Sequence, residues 1–83
     1  MRVTVRVFAR LRELTGVSEW IAELPDGATI GDVWRQSVAE HAALAPFGRT
    51  VSVARNADFA RMTTAVADGD DIAFLPPVSG GSY

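Results

Sequence analysis

Ile72-Ala73-Phe74-Leu75-Pro76-Pro77-Val78-Ser79-Gly80-Gly81, followed by Ser82-Tyr83, is the stretch whose reading decides the fold. An apolar segment of strand character runs into two prolines, and a pair of glycines sits almost at the end. Proline fixes φ and cannot donate to a sheet ladder, so the chain leaves the sheet here and stays extended. Glycine adds no side chain and therefore no width. The result is a stiff stalk with a slim tip, and Pro76 to Gly81 spans roughly 20 Å at full extension. On the tail alone two readings stand open: a device for threading into a narrow channel, or an ordinary frayed terminus.

Immediately upstream, Asp68-Gly69-Asp70 is a turn signal, so Asp71 to Leu75 reads as the last strand. Thr50 to Ala54 alternates and predicts a third strand, and a short edge strand is expected around Phe59 to Met62. Arg2 to Phe8 alternates strictly, with Val3, Val5 and Val7 on one side and Arg2, Thr4 and Arg6 on the other. Period two with β-branched residues predicts a half-buried strand. Ala9 to Leu14 predicts a short helical turn closing on Thr15-Gly16, and Glu19 to Leu24 a second strand ending at Pro25-Asp26-Gly27. Thr29-Ile30-Gly31-Asp32 is a capping-box pattern that starts the main helix. Ile30, Val33, Trp34 and Val38 share one face of it, and Pro46 limits it to an end near His41 to Leu44. The order β-β-α-β-(β)-β predicts an α+β domain over residues 1–75: one main helix packed across a mixed sheet of four to five strands. Residues 76–83 form an extended tail.

Composition narrows the function. At 83 residues the chain is one domain that buries about 60–65% of its unfolded surface. A net charge of −2 argues against a partner held by phosphate contacts, so no nucleic acid is expected. No apolar run approaches the length of a membrane span, and Arg2 and Arg6 among the first valines do not fit a signal peptide. The expected location is cytoplasmic. Without cysteine there is no disulfide and no thiolate nucleophile. All basic side chains other than His41 are arginines, so the N-terminus is the only ordinary amine nucleophile.

Each candidate site also has a plainer reading. His41, the single histidine, falls in the last turn of the helix, where a cation complements the dipole. Asp68, Asp70 and Asp71 lack the spread of oxygen ligands of a calcium loop and read as a hairpin turn. Arg10 and Arg12 beside Phe8 form either a solvated face or a docking surface, Trp34 belongs to the core, and Trp20 points either way. No base is paired with a nucleophile, no metal-ligand set is spaced for binding, and no Gly-rich loop follows a strand. The remaining reactive group is one that every chain has, its terminal carboxylate.

Two segments carry a family resemblance. Phe8-Ala9-Arg10-Leu11-Arg12-Glu13-Leu14-Thr15-Gly16 and Asp68 through Gly81, with Pro-Pro-Val-x-Gly-Gly, resemble the small-subunit family of molybdopterin synthase. These are ubiquitin-like β-grasp sulfur carriers of the MoaD/ThiS superfamily. The resemblance covers nearly the whole chain and implies a mechanism. An E1-like adenylating enzyme would use ATP to activate the Gly81 carboxylate, and sulfur from a persulfide would replace AMP to leave a thiocarboxylate. Pro76, Pro77, Val78, Ser79 and Gly80 would insert into the large subunit of the synthase, in a heterotetramer, and sulfur would pass to a pyranopterin precursor. The chain itself would bind no cofactor and no metal. Phe8, Arg12, Phe59 and Leu75 are implied to face partners, with Leu75 standing where the family commonly has an aromatic. The family normally ends at the second glycine, so Ser82-Tyr83 implies removal by a protease. A sulfur carrier for cysteine, thiamine or another cofactor remains an alternative, as does an interaction module or protein modifier that carries no sulfur.

Overall fold

Alternation along β1 (Arg2–Val7) seats Val3, Val5 and Val7 in the core and turns Thr4 and Arg6 to the other side of the sheet. The computed structural model describes residues 1–77. Phe8, in extended conformation, caps the short helix α1 (Ala9–Thr15), whose one fully buried residue is Leu11. That helix stops at Gly16, which adopts a left-handed φ of 78° while its amide donates to the Arg12 carbonyl at 2.9 Å. Strand β2 (Glu19–Glu23) then returns antiparallel to β1, with Val5 opposite Trp20.

Helix α2 (Ile30–Glu40) begins with both halves of the capping box: the Asp32 amide donates to Thr29 Oγ1 at 3.3 Å, and the Thr29 amide donates to Asp32 Oδ2 at 2.8 Å. Two otherwise unpaired amides are thus satisfied where the helix must start. The α-helix stops at Glu40, short of the 41–44 expected from Pro46 alone. The chain tightens instead into a 3-10 helix (Ala42–Phe47) that contains Pro46. His41 sits between the two as C-cap, its amide donating to the Ser37 carbonyl at 2.8 Å. Strands β3 (Ser52–Arg55), β4 (Asp58–Ala60) and β5 (Asp71–Leu75) complete the sheet. Strand β3 starts two residues later than expected, and β4 falls at 58–60 rather than 59–62.

The strand order is β2-β1-β5-β3-β4, with β1 and β5 parallel at the centre and every other pairing antiparallel. This mixed five-stranded sheet crossed by α2 is the α+β β-grasp fold. One face of the sheet meets α2 through Ile72, Phe74, Ile30, Val33 and Trp34, with Leu11 and Leu44 closing one end. Phe74 and Trp34 meet edge to face at 4.9 Å, a geometry that aromatic pairs prefer. Trp20, left open by the sequence, lies on the core side with Val5 and packs against His41 at 4.9 Å. Among the described residues, no helix is long and apolar enough to cross a membrane, and no cluster of metal-ligating side chains forms.

Candidate functional site

The parallel pairing of β1 with β5 fixes where the tail leaves. Val7 stands opposite Phe74, so the chain emerges from Leu75 alongside Phe8 and the first turn of α1. On the other flank Leu75 pairs with Ser52. Pro76 is half-buried and Pro77 exposed, so the stalk begins to leave the surface within these two residues. Val78, Ser79, Gly80 and Gly81, with Ser82 and Tyr83, lie outside the described residues.

Across the open side of the sheet runs one cross-strand row: Glu19, Arg6, Ala73, Ala54 and Phe59. Arg6 anchors one end, donating from Nε to Asp71 Oδ2 and from Nη1 to Glu19 Oε1, each at 2.7 Å. The hydrogen bond and charge of Asp71, with the charge of Glu19, hold its guanidinium still more firmly protonated. Phe59, 85% exposed, stands at the other end, and Phe8, 42% exposed, rises near the tail exit. Ala54 is buried yet lies outside the core cluster, because its side chain belongs to this outer row. Beside Phe8 is a shallow hollow of about 310 Å³ lined by Arg6, Phe8, Asn56, Ala57, Asp71 and Ala73. Small side chains at Ala57 and Ala73 leave room that Phe8 does not fill.

The hollow owes one wall to the β3–β4 hairpin, where Asn56 and Ala57 both take positive φ, 50° and 74°. Two such residues in a two-residue loop match the twist of paired strands. Asp70 holds this hairpin from below. Its carboxylate accepts from Arg55 Nε at 2.6 Å, Asn56 Nδ2 at 3.0 Å and the Ala67 amide at 2.7 Å. Those hydrogen bonds, Arg55 first, keep its pKa at about 2 against the cost of burial. Asp32 is also held below the usual carboxylate range, by the Thr29 amide and then by Arg35. Both stay ionised at neutral pH and serve as anchors.

Of the residues expected to face partners, Phe8, Phe59 and half-buried Leu75 belong to the open face of the sheet, while exposed Arg12 lies on α1 beside the tail exit. Phe8, Leu75 and Arg12 gather at one end; Phe59 is set apart on the edge strand. Sequence reasoning passed over Ile21, 59% exposed on the same face of β2. Its alternation with Trp20 was the available signal.

A family profile matches residues 5–81, from inside the first strand to the second glycine. The chain belongs to the ThiS family. Within reach of this ThiS-family sequence is the molybdopterin synthase sulfur carrier subunit of Chlamydomonas reinhardtii, 41% identical over 98% of this chain and 100% of the relative. Among solved structures, SAMP1 from Haloferax volcanii superposes with a TM-score of 0.87 at 32% identity, covering 98% of this chain and 100% of that one. The complex of subunits 1 and 2 of molybdopterin-converting factor from Helicobacter pylori contains a chain that matches with a TM-score of 0.67 at 27% identity, covering 98% and 100%.

Proposed function

We propose that this chain is the sulfur carrier of molybdopterin synthesis, bearing a thiocarboxylate on Gly81. The observation that carries the reading is the family match running unbroken to Gly81, on a fold whose last strand releases the tail between Phe8 and Ser52. The full-length similarity to a molybdopterin synthase sulfur carrier subunit supports it.

With no cysteine in the sequence, sulfur carried by this chain sits on its terminal carboxylate. A carboxylate oxygen of Gly81 attacks the α-phosphorus of ATP held by an E1-like adenylating enzyme, and pyrophosphate leaves. The acyl adenylate is then a good electrophile. Persulfide sulfur displaces AMP to give an acyl disulfide, and a second thiol cleaves it, ending in a disulfide with the donor sulfur and releasing the thiocarboxylate. The thiocarboxylate sulfur bonds to a pyranopterin precursor, and water then cleaves the acyl–sulfur bond, leaving the sulfur on the precursor and regenerating the carboxylate. Pro76 and Pro77 keep the tail extended, while Val78, Ser79 and Gly80 carry its tip into the large subunit. Phe8, Arg12, Leu75 and Phe59 dock the folded domain, an aromatic-and-arginine set of the kind that dominates interface energies. The chain acts as sulfur-donating subunit in the cytoplasm.

The matched span ends at Gly81 with Ser82-Tyr83 beyond it, so a protease removes these two residues before activation. Intact mass of the untagged protein from its own cells tests the proposal. The expected result is loss of Ser82-Tyr83 with one oxygen replaced by sulfur. A Gly81→Ala variant that supports normal cofactor levels refutes it. A second reading, protein modifier, is favoured by the structural likeness to SAMP1; it requires Gly81 to be recovered joined to lysines of other proteins.

A further inference from the structure

The topology sorts the charges along the molecule. The end of β1, the end of β5 and the start of β3 lie together. Helix α1 departs from this end and the 3-10 helix leads back to it, the two packed against each other. On these connections sit Arg10, Arg12 and Arg49 with one acid, Glu13, while exposed Glu40 closes α2 just before the 3-10 helix and Glu19 opens β2 bridged to Arg6. Glu13 is bridged to Arg10 at 3.1 Å. Arg12 and Arg49 are exposed and form no ion pair among the described residues. Towards the opposite end five acids, Glu23, Asp26, Asp58, Asp68 and Asp70, outnumber Arg2 and Arg55, and the tail beyond Pro77 adds no charged side chain. On a chain of net charge −2 the tail-exit end is therefore a local positive pole.

We infer that Arg12 and Arg49 form a cationic rim around Phe8 and Leu75 and steer the chain, tail first, onto a protein whose receiving mouth is apolar at its centre and rimmed with carboxylates. The inference rests on the proposal that the tail is inserted into a partner. Guanidinium groups offer two parallel donors to a carboxylate and desolvate more readily than an ammonium. Because these two arginines are not already paired, docking breaks no existing bridge. The acidic remainder of the chain is repelled by the same mouth, which favours one approach direction. Such complementarity acts mainly on the association rate and on register. Arg49 is the new element here; it sits on the connection from the 3-10 helix into β3, outside both segments that carry the family resemblance.

Association kinetics with the purified large subunit of molybdopterin synthase from the same cells test this at low and high salt. Arg12→Glu and Arg49→Glu are each expected to slow association about tenfold at low salt, with the difference collapsing at high salt. Arg61→Glu is the control: an equal charge change at another exposed, unbridged arginine, on the loop packed against the start of α2. It is expected to change the rate less than about twofold. Equal effects at Arg49 and Arg61, or none at Arg49, overturn the inference. Failure of the wild-type chain to bind the large subunit at all counts against the proposed function instead. In that event, amide shifts on titration with an acidic peptide containing a central leucine decide the rim. Shifts confined to Phe8, Arg12 and Arg49 support it; shifts centred on Arg61, or none, overturn it.

Discussion

Replacing Asp70 by Asn isolates the network that holds the β3–β4 hairpin. Its carboxyl falls from the ordinary 3.8 to about 2 in the folded protein, with the hydrogen bond from Arg55 as the largest cause. At about 1.4 kcal/mol per pH unit, that drop corresponds to roughly 2 kcal/mol of folding stability. Arg55 is 38% exposed, so solvent screening brings the expected loss to about 1–2 kcal/mol. The sign is fixed by the direction of the shift. A carboxyl with a depressed folded pKa contributes fully above its unfolded pKa and loses that contribution as pH falls through the folded value. Wild type is therefore expected to melt about 5–15 °C above Asp70→Asn near pH 7. The gap should close between about pH 4 and pH 2. Circular dichroism melts of both proteins across that range give the answer, and contributions from other carboxyls cancel in the difference. Parallel curves, or neutral-pH midpoints within about 2 °C, refute the reasoning.

Phe74→Ala removes a fully buried ring packed on Trp34 and should cost about 3–5 kcal/mol, read as a urea midpoint shift at unchanged slope. Ala57→Gly relieves a side chain held at a φ of 74° and should raise stability by about 1 kcal/mol; a lower midpoint contradicts the assigned strain. Phe59→Ser changes a side chain that is 85% exposed, so stability should stay within about 0.5 kcal/mol. Affinity for the large subunit, measured by calorimetry, should fall about tenfold or more if Phe59 docks there.

Elements that announce themselves locally were legible. The strict alternation of Arg2 to Val7, the Thr29–Asp32 capping box and the Asp-Gly-Asp turn each use residues whose chemistry dictates the conformation. The ending of α2 was not, because Pro46 bars an α-helix from a distance but tolerates a tighter 3-10 path. Strand β4 was placed only approximately: its hairpin turns on Asn56-Ala57, without the glycine that normally marks such a loop. Asp70 was visible as a turn residue, but its partner Arg55 is 15 positions away and became apparent only through the pairing of β3 with β5. For the candidate site, the exposed aromatics came from resemblance, and the sheet register then placed Phe8 and Leu75 at one end. Ile21 and Arg49 escaped notice because neither carries a motif; exposure and topology single them out.

The central pairing of β1 with β5 sets the order of events as the protein folds. Each of its contacts, such as Val5 with Ile72, joins the opening of the chain to its close. Closing so long a loop costs entropy before any contact repays it, so this pairing is expected to form late in folding. Ile72 and Phe74 are fully buried, so a nascent or clipped chain lacking β5 lacks the middle strand of its sheet and two core side chains. The site beside Phe8 from which the tail departs exists only once that step is complete. Folding thereby acts as an inspection: the surface around Phe8 and Leu75 and the tail beside it come together only on chains that have finished.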